Sequence, residues 1–268
     1  MTDYSSAIPP DVRADILTRL EAIERDNDVR ITLAVESGSR AWGFASNDSD
    51  YDVRFLYVRS HDWHCSINVE GKRDVIECPI TDNLDISGWD IRKALRLLYK
   101  SNPPLLEWLH SPIIYRELHE AAKPLRATAQ RYYSKTSSFY HYLHMAKGND
   151  KNYLQREEVW TKKYLYVLRP LLAIKWSEAN QGVPPLDFER VVNEVVDDNS
   201  VRTAIGDLLA RKRNGDELGT GPRIPALDNF ITSEFERHKA EGISKAERPP
   251  DIENLNVLFR WIIKEAAQ

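Results

Sequence analysis

The sequence predicts an α+β protein with a small mixed sheet near its start and helices beyond. Three observations carry this. Short runs rich in β-branched and aromatic residues occupy Ile31 to Val35, Asp52 to Val58, Asp74 to Ile80 and Asn83 to Ser87, and no comparable run follows. From Asp90 onward the apolar residues recur at helical spacing. A helical pattern also precedes the first strand, an order suited to a sheet covered by helices.

Pro9 and Pro10 precede a helix over Asp11 to Arg25, where Val12, Ile16, Leu20 and Ile23 form one apolar stripe. Ile31 to Val35 (ITLAV) reads as a buried strand and Asp52 to Val58 (DVRFLYV) as a second. Between them the chain must turn at Gly38 and run briefly as a helix through Arg40 to Gly43. Alternate side chains of an extended strand share a face, so Asp50 and Asp52 project together while Tyr51 points away. The polar segment Ser60 to Glu70 and the turn at Gly71-Lys72 predict a hairpin that returns along Asp74 to Ile80. A further strand, Asn83 to Ser87, leads to a helix with Asp90 as its N-cap. Asn102-Pro103-Pro104 separates two short helices. Leu118 to Ala146, Tyr153 to Ala179, Asp187 to Val196, Val201 to Lys212, Pro225 to Ala240 and Asp251 to Ala267 read as helices. Breakers fall at Gly148-Asn149, at Gly182 with Pro184-Pro185, from Gly215 to Pro225, and at Pro249-Pro250. The change of character suggests a sheet domain over residues 1–112 and a helical domain over 113–268.

With 42% hydrophobic and 29% charged residues in 268, the composition is that of a soluble globular protein able to bury a core. No apolar run approaches bilayer length and the first residues lack a basic region followed by an apolar one, so the chain reads as cytoplasmic with no membrane partner. Cys65 and Cys78 read as free thiols, and with His61 and His64 they match no familiar zinc spacing. A net charge of −4 gives no global field favouring nucleic acid, and Arg211-Lys212-Arg213 reads as a helix C-terminus. His110, His141 and His144 have no matched carboxylate or metal spacing.

Chemistry concentrates between Glu36 and Val58. Two carboxylates forced together are costly to keep ionised unless a cation sits between them, so Asp50 and Asp52 point to a metal. Hard oxygen ligands suit Mg²⁺, which shares its shell with phosphates and water. Gly38 lets backbone approach a phosphate, and Ser39 can donate its N–H and hydroxyl at a helix N-terminus. A triphosphate held between a donor turn and a metal-bearing strand follows.

The order strand, Gly38-Ser39, short helix, Asp50-x-Asp52, strand resembles the signature of the DNA polymerase β-like nucleotidyltransferase superfamily. The stretch SGSRAWGFASNDSDYDVRFLYV is similar to a bacterial and phage branch that includes proteins found beside RNA ligases, and the similarity continues through Leu84 to Leu109 and Lys162 to Leu172. The resemblance implies a nucleotidyltransferase core with a helical domain closing the active-site cleft. It implies transfer of a nucleoside monophosphate, AMP above others, from a triphosphate to an acceptor hydroxyl with release of pyrophosphate. Asp50 and Asp52 would bind two Mg²⁺ ions, or Mn²⁺ in their place. Gly38 and Ser39 would hold the β- and γ-phosphates, with Arg40 beside them. A third carboxylate is needed from a neighbouring strand, Asp85 being the first choice and Glu77 its rival.

Lys163 and Arg169 lie on a helix whose pattern the family shares, which suggests phosphate or base contacts. The alternative is that Tyr164, Leu165, Leu168 and Leu172 form a core stripe while the cations reach solvent. Lys93 and Arg96 likewise read either as cleft residues or as the solvated side opposite Ile91, Leu95 and Leu98. The acceptor, whether RNA, a small molecule or a protein hydroxyl, stays open. So do two other classes of function: a catalytically silent nucleotide-binding regulator or toxin–antitoxin component, and a helical interaction protein whose DSDYD is acidic surface.

Overall fold

Helix α1 (Pro10–Asn27) places Pro10 in its first turn, where no helical N–H is needed, and ends at Asp28, whose φ of +50° forms a left-handed cap. These features belong to a computed structural model that describes residues 4, 7–180, 182–214, 218–241 and 250–266. Gly215, Pro249 and Ala267, named above as breakers or a helix end, lie outside the described residues. Strand β1 (Arg30–Glu36) follows, buried at every position after Arg30. The helical turn α2 is Gly38–Ala41, two residues earlier than the sequence suggested. Strand β2 (Tyr51–Val58) pairs antiparallel with β1, Ala34 lying opposite Phe55 and Glu36 opposite Val53.

The expected hairpin after β2 does not form. The chain instead makes a short helix α3 (His61–His64), a 3-10 turn at Val69–Gly71, and strands β3 (Val75–Glu77) and β4 (Leu84–Asp90). It is β4 that lies beside β2, parallel to it, while β3 pairs antiparallel with β4 at the edge. A polar connection and a turn residue announce that the chain reverses, but they do not name the strand it returns to. Helix α4 (Ile91–Tyr99) is capped by Asp90, whose Oδ1 accepts the Arg92 N–H at 2.8 Å. Helix α5 (Pro103–Leu109) is capped by Asn102. A strand not foreseen, β5 (Ile114–Glu117), then pairs with β1, giving the sheet order β3-β4-β2-β1-β5.

Alternation sorts the sheet into two faces. Val53, Phe55, Tyr57, Leu84 and Ile86 pack with Ile16, Leu20 and Ile23 of α1 in one core. Gly88 is opposite Phe55, and a Cβ there would lie 2.2 Å from the Phe55 ring, so the aromatic side chain fills the glycine's space. Asp52, Arg54, Leu56 and Val58 have the opposite parity. Helices α4, α6 (His119–Tyr132) and α12 (Glu253–Ala266) pack on one another and against β1 and β2.

The division of the chain differs from a boundary at 112/113. One compact unit, the sheet unit, comprises Thr2–Ala41, Asp50–Tyr133 and Pro249–Gln268; the other, the helical unit, comprises Trp42–Ser49 and Ser134–Arg248. The reason is β5 and α6, which complete the sheet and its cover after residue 112, and α12, which returns to them. The helix read over Leu118 to Ala146 is two: α6 stops at Tyr132, and α7 (Lys135–Tyr153) begins where Ser134 Oγ accepts the Ser137 N–H at 3.2 Å. Helix α7 runs through Gly148-Asn149 without a break, Asn149 donating its side-chain amide to the Met145 carbonyl at 3.0 Å. Tyr153 is therefore the end of one helix, and strand β6 (Glu158–Trp160), which pairs antiparallel with the later β7 (Thr220–Pro222), intervenes before α8 (Lys163–Asn180). Helices α9 (Phe188–Val195), α10 (Asn199–Arg213) and α11 (Pro225–Glu241) complete the helical unit, with Arg211, Lys212 and Arg213 in the last turn of α10. No described helix is long and apolar enough to cross a membrane.

In the sheet unit two ionisable groups are buried together. His64 Nε2 lies 4.0 Å from Asp90 Oδ2, with side chains 3% and 1% exposed. Both ring nitrogens of His64 and Asp90 Oδ2 lack a hydrogen-bond partner among the described residues. Burial pushes Asp90 up to about 6 and His64 down to about 4, the latter helped by the positive charge of Arg92 and Arg59. Between those values the folded pair holds one proton, on Asp90, and the unfolded chain also holds one, on His64. Their pH dependences therefore cancel. Removing one partner exposes the other. In Asp90→Asn, the depressed value of His64 gives a contribution that is full above about pH 6.5 and lost as pH falls through about 4. In His64→Phe, the raised value of Asp90 gives a contribution that is full below about pH 4 and lost as pH rises through about 6. Urea unfolding across this range should show the two variants changing in opposite directions by about 2–3 kcal/mol, with the parent flatter than either. Parallel curves for the two variants would contradict the shared-proton account.

Candidate functional site

The site is built where β1, α2, β2 and β4 meet. Gly38 has φ +57°, and a Cβ on it would lie 1.9 Å from Asp52 Oδ2, so the Asp52 carboxylate rests directly against the glycine. The two are tied through the backbone as well: the Ser37 N–H donates to the Asp52 carbonyl at 2.8 Å. Gly38 therefore has two physical reasons to be glycine, the left-handed backbone and the occupied space.

Parallel pairing puts Asp85 of β4 in register with Asp52 of β2, and both side chains emerge on one face with Arg54. A single nitrogen of Arg54, Nη2, donates to Asp52 Oδ1 at 3.1 Å and to Asp85 Oδ2 at 2.7 Å. The Nη1 group donates to the Asp85 carbonyl at 2.8 Å. The side chains of Arg54, Asp52 and Asp85 are 17%, 29% and 33% exposed, so the cluster is open on one side. Burial raises the Asp52 carboxyl above its ordinary value; the charges of Asp85 and Asp50 push it the same way, against Arg54 and Arg40. Asp50 is exposed and precedes the first residue of β2. Tyr51, of opposite parity, packs with the α1 core, as alternation required.

Glu77, the rival third carboxylate, is on β3 in register with Ser87 rather than with either aspartate, and pairs with Arg73 in solvent. Asp85 is the one that the sheet sets beside Asp52. Ser39 and Arg40 are each 8% exposed. The Arg40 guanidinium stacks on the Tyr51 ring at 3.9 Å and donates to the carbonyls of Asp50 and Ala7, both at 3.3 Å. It thus braces the chain leading into β2 from beneath. Lys163 and Arg169 belong to the helical unit. There the Lys163 ammonium lies between the Tyr153 and Tyr166 rings, 4.4 and 4.5 Å from their centres, and Arg169 stacks on Trp42 at 3.9 Å. Burial lowers the Lys163 ammonium. Tyr164, Leu165, Leu168 and Leu172 are fully buried, the core stripe read from the sequence.

Two groups were not foreseen. Arg54 was legible in principle, since it follows Asp52 at the strand period. Glu36 was not singled out, although a carboxylate at the end of an apolar strand is a signal. It is wholly buried; Oε1 accepts the Asp52 N–H at 2.9 Å and Oε2 accepts the Tyr115 hydroxyl at 2.6 Å, while its carbonyl accepts the Ser111 hydroxyl at 2.6 Å. Burial lifts Glu36 to about 7 despite these bonds, and lifts the Tyr115 phenol as well. One carboxyl group therefore ties β1, β2 and β5 together beneath Asp52.

Arg54→Ala should leave the two aspartates facing each other without a cation. The expected cost is on the order of 1 kcal/mol at pH 8, discounted for exposure, and it should be smaller at pH 4, because burial raises the Asp52 carboxyl and favours its neutral form there. Melting temperatures at the two pH values check this; an equal loss at both would assign Arg54 a packing role instead.

The donor set suits a hard divalent cation. Among the described residues no three His, Cys, Asp or Glu side chains form a ready-made cage. Mg²⁺ does not require one, being held by one or two carboxylates with phosphate and water completing the shell. The place between Asp52 and Asp85, spanned by one guanidinium nitrogen, has the charge such an ion needs.

The profile of the RNA repair pathway DNA polymerase beta family matches residues 12–261. The uncharacterized protein YcgL of Bacillus subtilis (strain 168) is 49% identical over 251 residues, spanning 93% of this chain and 96% of that protein. A crystal structure of a nucleotidyltransferase-like protein from Exiguobacterium sibiricum 255-15 aligns over 93% of this chain and 91% of its own, at 14% identity and a TM-score of 0.32.

Proposed function

The chain belongs to the RNA repair pathway DNA polymerase beta family, and on that premise we propose that it moves a nucleoside monophosphate, AMP by preference, from a triphosphate to an acceptor hydroxyl, RNA being the acceptor favoured. The observation that carries this reading is the Asp52 carboxylate seated on Gly38 with Asp85 in register beside it. A triphosphate lying on the Gly38-Ser39 turn would meet backbone N–H groups and a carboxylate pair at one place.

In this mechanism the acceptor oxygen attacks the α-phosphorus in line, an O–P bond forms, the bond to the bridging β-phosphate oxygen breaks, and pyrophosphate leaves. Gly38 and Ser39 hold the β- and γ-phosphates. Asp50 and Asp52 would hold divalent cations, two in number, and Asp85 would complete the set on the acceptor side, where it takes up the hydroxyl proton. Bound Mg²⁺, or Mn²⁺ in its place, supplies neutralisation of the phosphate charge and acidifies the acceptor hydroxyl. Glu36 and Arg40 act from behind, fixing the Asp52 backbone and the approach to β2. Positioning and charge neutralisation account for most of the rate in such reactions, so a short catalytic list suffices.

Label transfer from α-³²P-labelled triphosphates to RNA, small-molecule and protein acceptors, with Mg²⁺ and with chelator, tests the proposal. Metal-dependent label on a product together with released pyrophosphate supports it and identifies the acceptor. Tight metal-dependent nucleotide binding with no transfer to any acceptor would replace it with the regulatory reading.

A further inference from the structure

A groove of about 600 Å³ lies within the sheet unit between α4 and α12, apart from the strand positions that carry Asp52 and Asp85. Its α4 wall presents Arg92, Arg96 and Lys100, four residues apart, with Leu95 and Tyr99 between them. Its α12 wall adds Leu255, Asn256 and Phe259, and Ile252, half exposed, stands before that helix. Residues four apart on a helix rise by about 6 Å, an interval that suits successive phosphates of an extended strand. An apolar and aromatic floor under a row of cations is the arrangement by which single strands are held, bases on the rings and phosphates on the charges.

A second observation shows that the row accepts an anion. The Glu70 carboxylate, on the exposed 3-10 turn, already accepts from Arg92 Nη2 and lies 4.0 Å from Arg96 Nη2. An exposed ion pair of this kind is weak and displaceable. The cations Arg96 and Lys100 are themselves exposed, so the row continues beyond the carboxylate. In a chain of net charge −4 this is a local exception.

We propose that the α4–α12 groove binds single-stranded RNA, its phosphates replacing the Glu70 carboxylate along Arg92, Arg96 and Lys100 and its bases packing on Tyr99 and Phe259. This rests on the reading that the acceptor is RNA, and it assigns the strand a track remote from its reacting end. Glu70 then acts as a built-in competitor that weakens binding to strands too short to displace it.

The test is fluorescence anisotropy with a labelled, unstructured 12-nucleotide RNA, without triphosphate or divalent cation, from 50 to 200 mM salt. Three phosphate contacts predict a slope of log K against log salt near about −2, falling to about −0.7 in Arg96→Glu/Lys100→Glu with an affinity loss of about tenfold or more. Glu70→Gln should strengthen binding severalfold, a change of sign that an unfolded variant cannot produce. Duplex RNA of the same sequence should bind more weakly, because its bases are not free to enter the groove.

A folded Arg96→Glu/Lys100→Glu protein that binds the strand with parental affinity and slope would overturn the proposal. So would duplex binding equal to that of the strand. Since the assay contains no triphosphate, charge-sensitive strand binding in a protein that transfers no label would uphold the groove and remove the enzymatic reading. Transfer to RNA with an unchanged KM in the charge-reversed variant would do the opposite.

Discussion

Asp52→Asn should reduce nucleotidyl transfer by about a thousandfold while leaving the fold intact. The amide keeps the shape of the carboxylate and the backbone N–H that Glu36 accepts, so nothing in β2 is disturbed. What disappears is the negative charge at the one carboxylate that touches Gly38 and faces Asp85. That charge is costly where it is, because burial and the neighbouring aspartates already raise its pKa. Stability should therefore stay within about 1 kcal/mol of the parent, and nearer to it at low pH than at high. Single-turnover label transfer and urea unfolding on the same preparation separate the two effects. A variant that keeps a tenth of the parental rate would remove Asp52 from the catalytic set.

Gly38→Ala is expected to damage both properties. An alanine at φ +57° costs about 1–2 kcal/mol in backbone strain alone. Its methyl group would also fall 1.9 Å from Asp52 Oδ2, so the carboxylate must leave its seat. The combined loss should reach about 2–4 kcal/mol, a melting temperature lower by about 4–16 °C for a chain of this size. Transfer should fall as far as in the Asp52 variant, since the same carboxylate is displaced. Gly71→Ala is the matched control: nothing lies within 4 Å of a Cβ there, and the change should stay within about 0.5 kcal/mol. Equal melting temperatures for the Gly38 and Gly71 variants would show that the turn has room the geometry denies.

What was legible in the sequence is what local pattern determines. Strand period two placed Asp52 on one face and Tyr51 on the other, and the apolar stripe of α1 was plain. The turn at Gly38 followed from glycine, and Asp90 was recognisable as a cap. What escaped notice depends on partners distant in sequence. The four residues of β5 become a strand because β1 offers an edge roughly eighty positions earlier, and β4 inserts beside β2 although the β2–β3 connection looks like a hairpin. Tyr132 ends α6 without glycine or proline; only the Ser134 cap marks the restart. Conversely, Gly148-Asn149 has the composition of a break, yet α7 continues through it. At the site, Gly38, Asp50 and Asp52 were visible as a motif and Asp85 as the third acid that the resemblance implied, whereas the use of Arg54 as the cation shared by Asp52 and Asp85, and of Glu36 as the tie beneath Asp52, emerges only when β4 and β5 are in place.

The sheet unit is assembled from three separate stretches of chain, and the last of them begins only after Ser134–Arg248 has been made. During synthesis β1, β2 and β4 emerge early, with the part of β2 that α12 will contact still bare. The sheet cannot complete its core on the ribosome while the helical segments are being translated, and an exposed strand face during that interval is an invitation to aggregate. Expression in the cell should accordingly respond to chaperone supply and to translation speed over the second half of the message. Removal of α12 should be more harmful than its modest length suggests, because the part of β2 that α4 leaves to it would then never be covered.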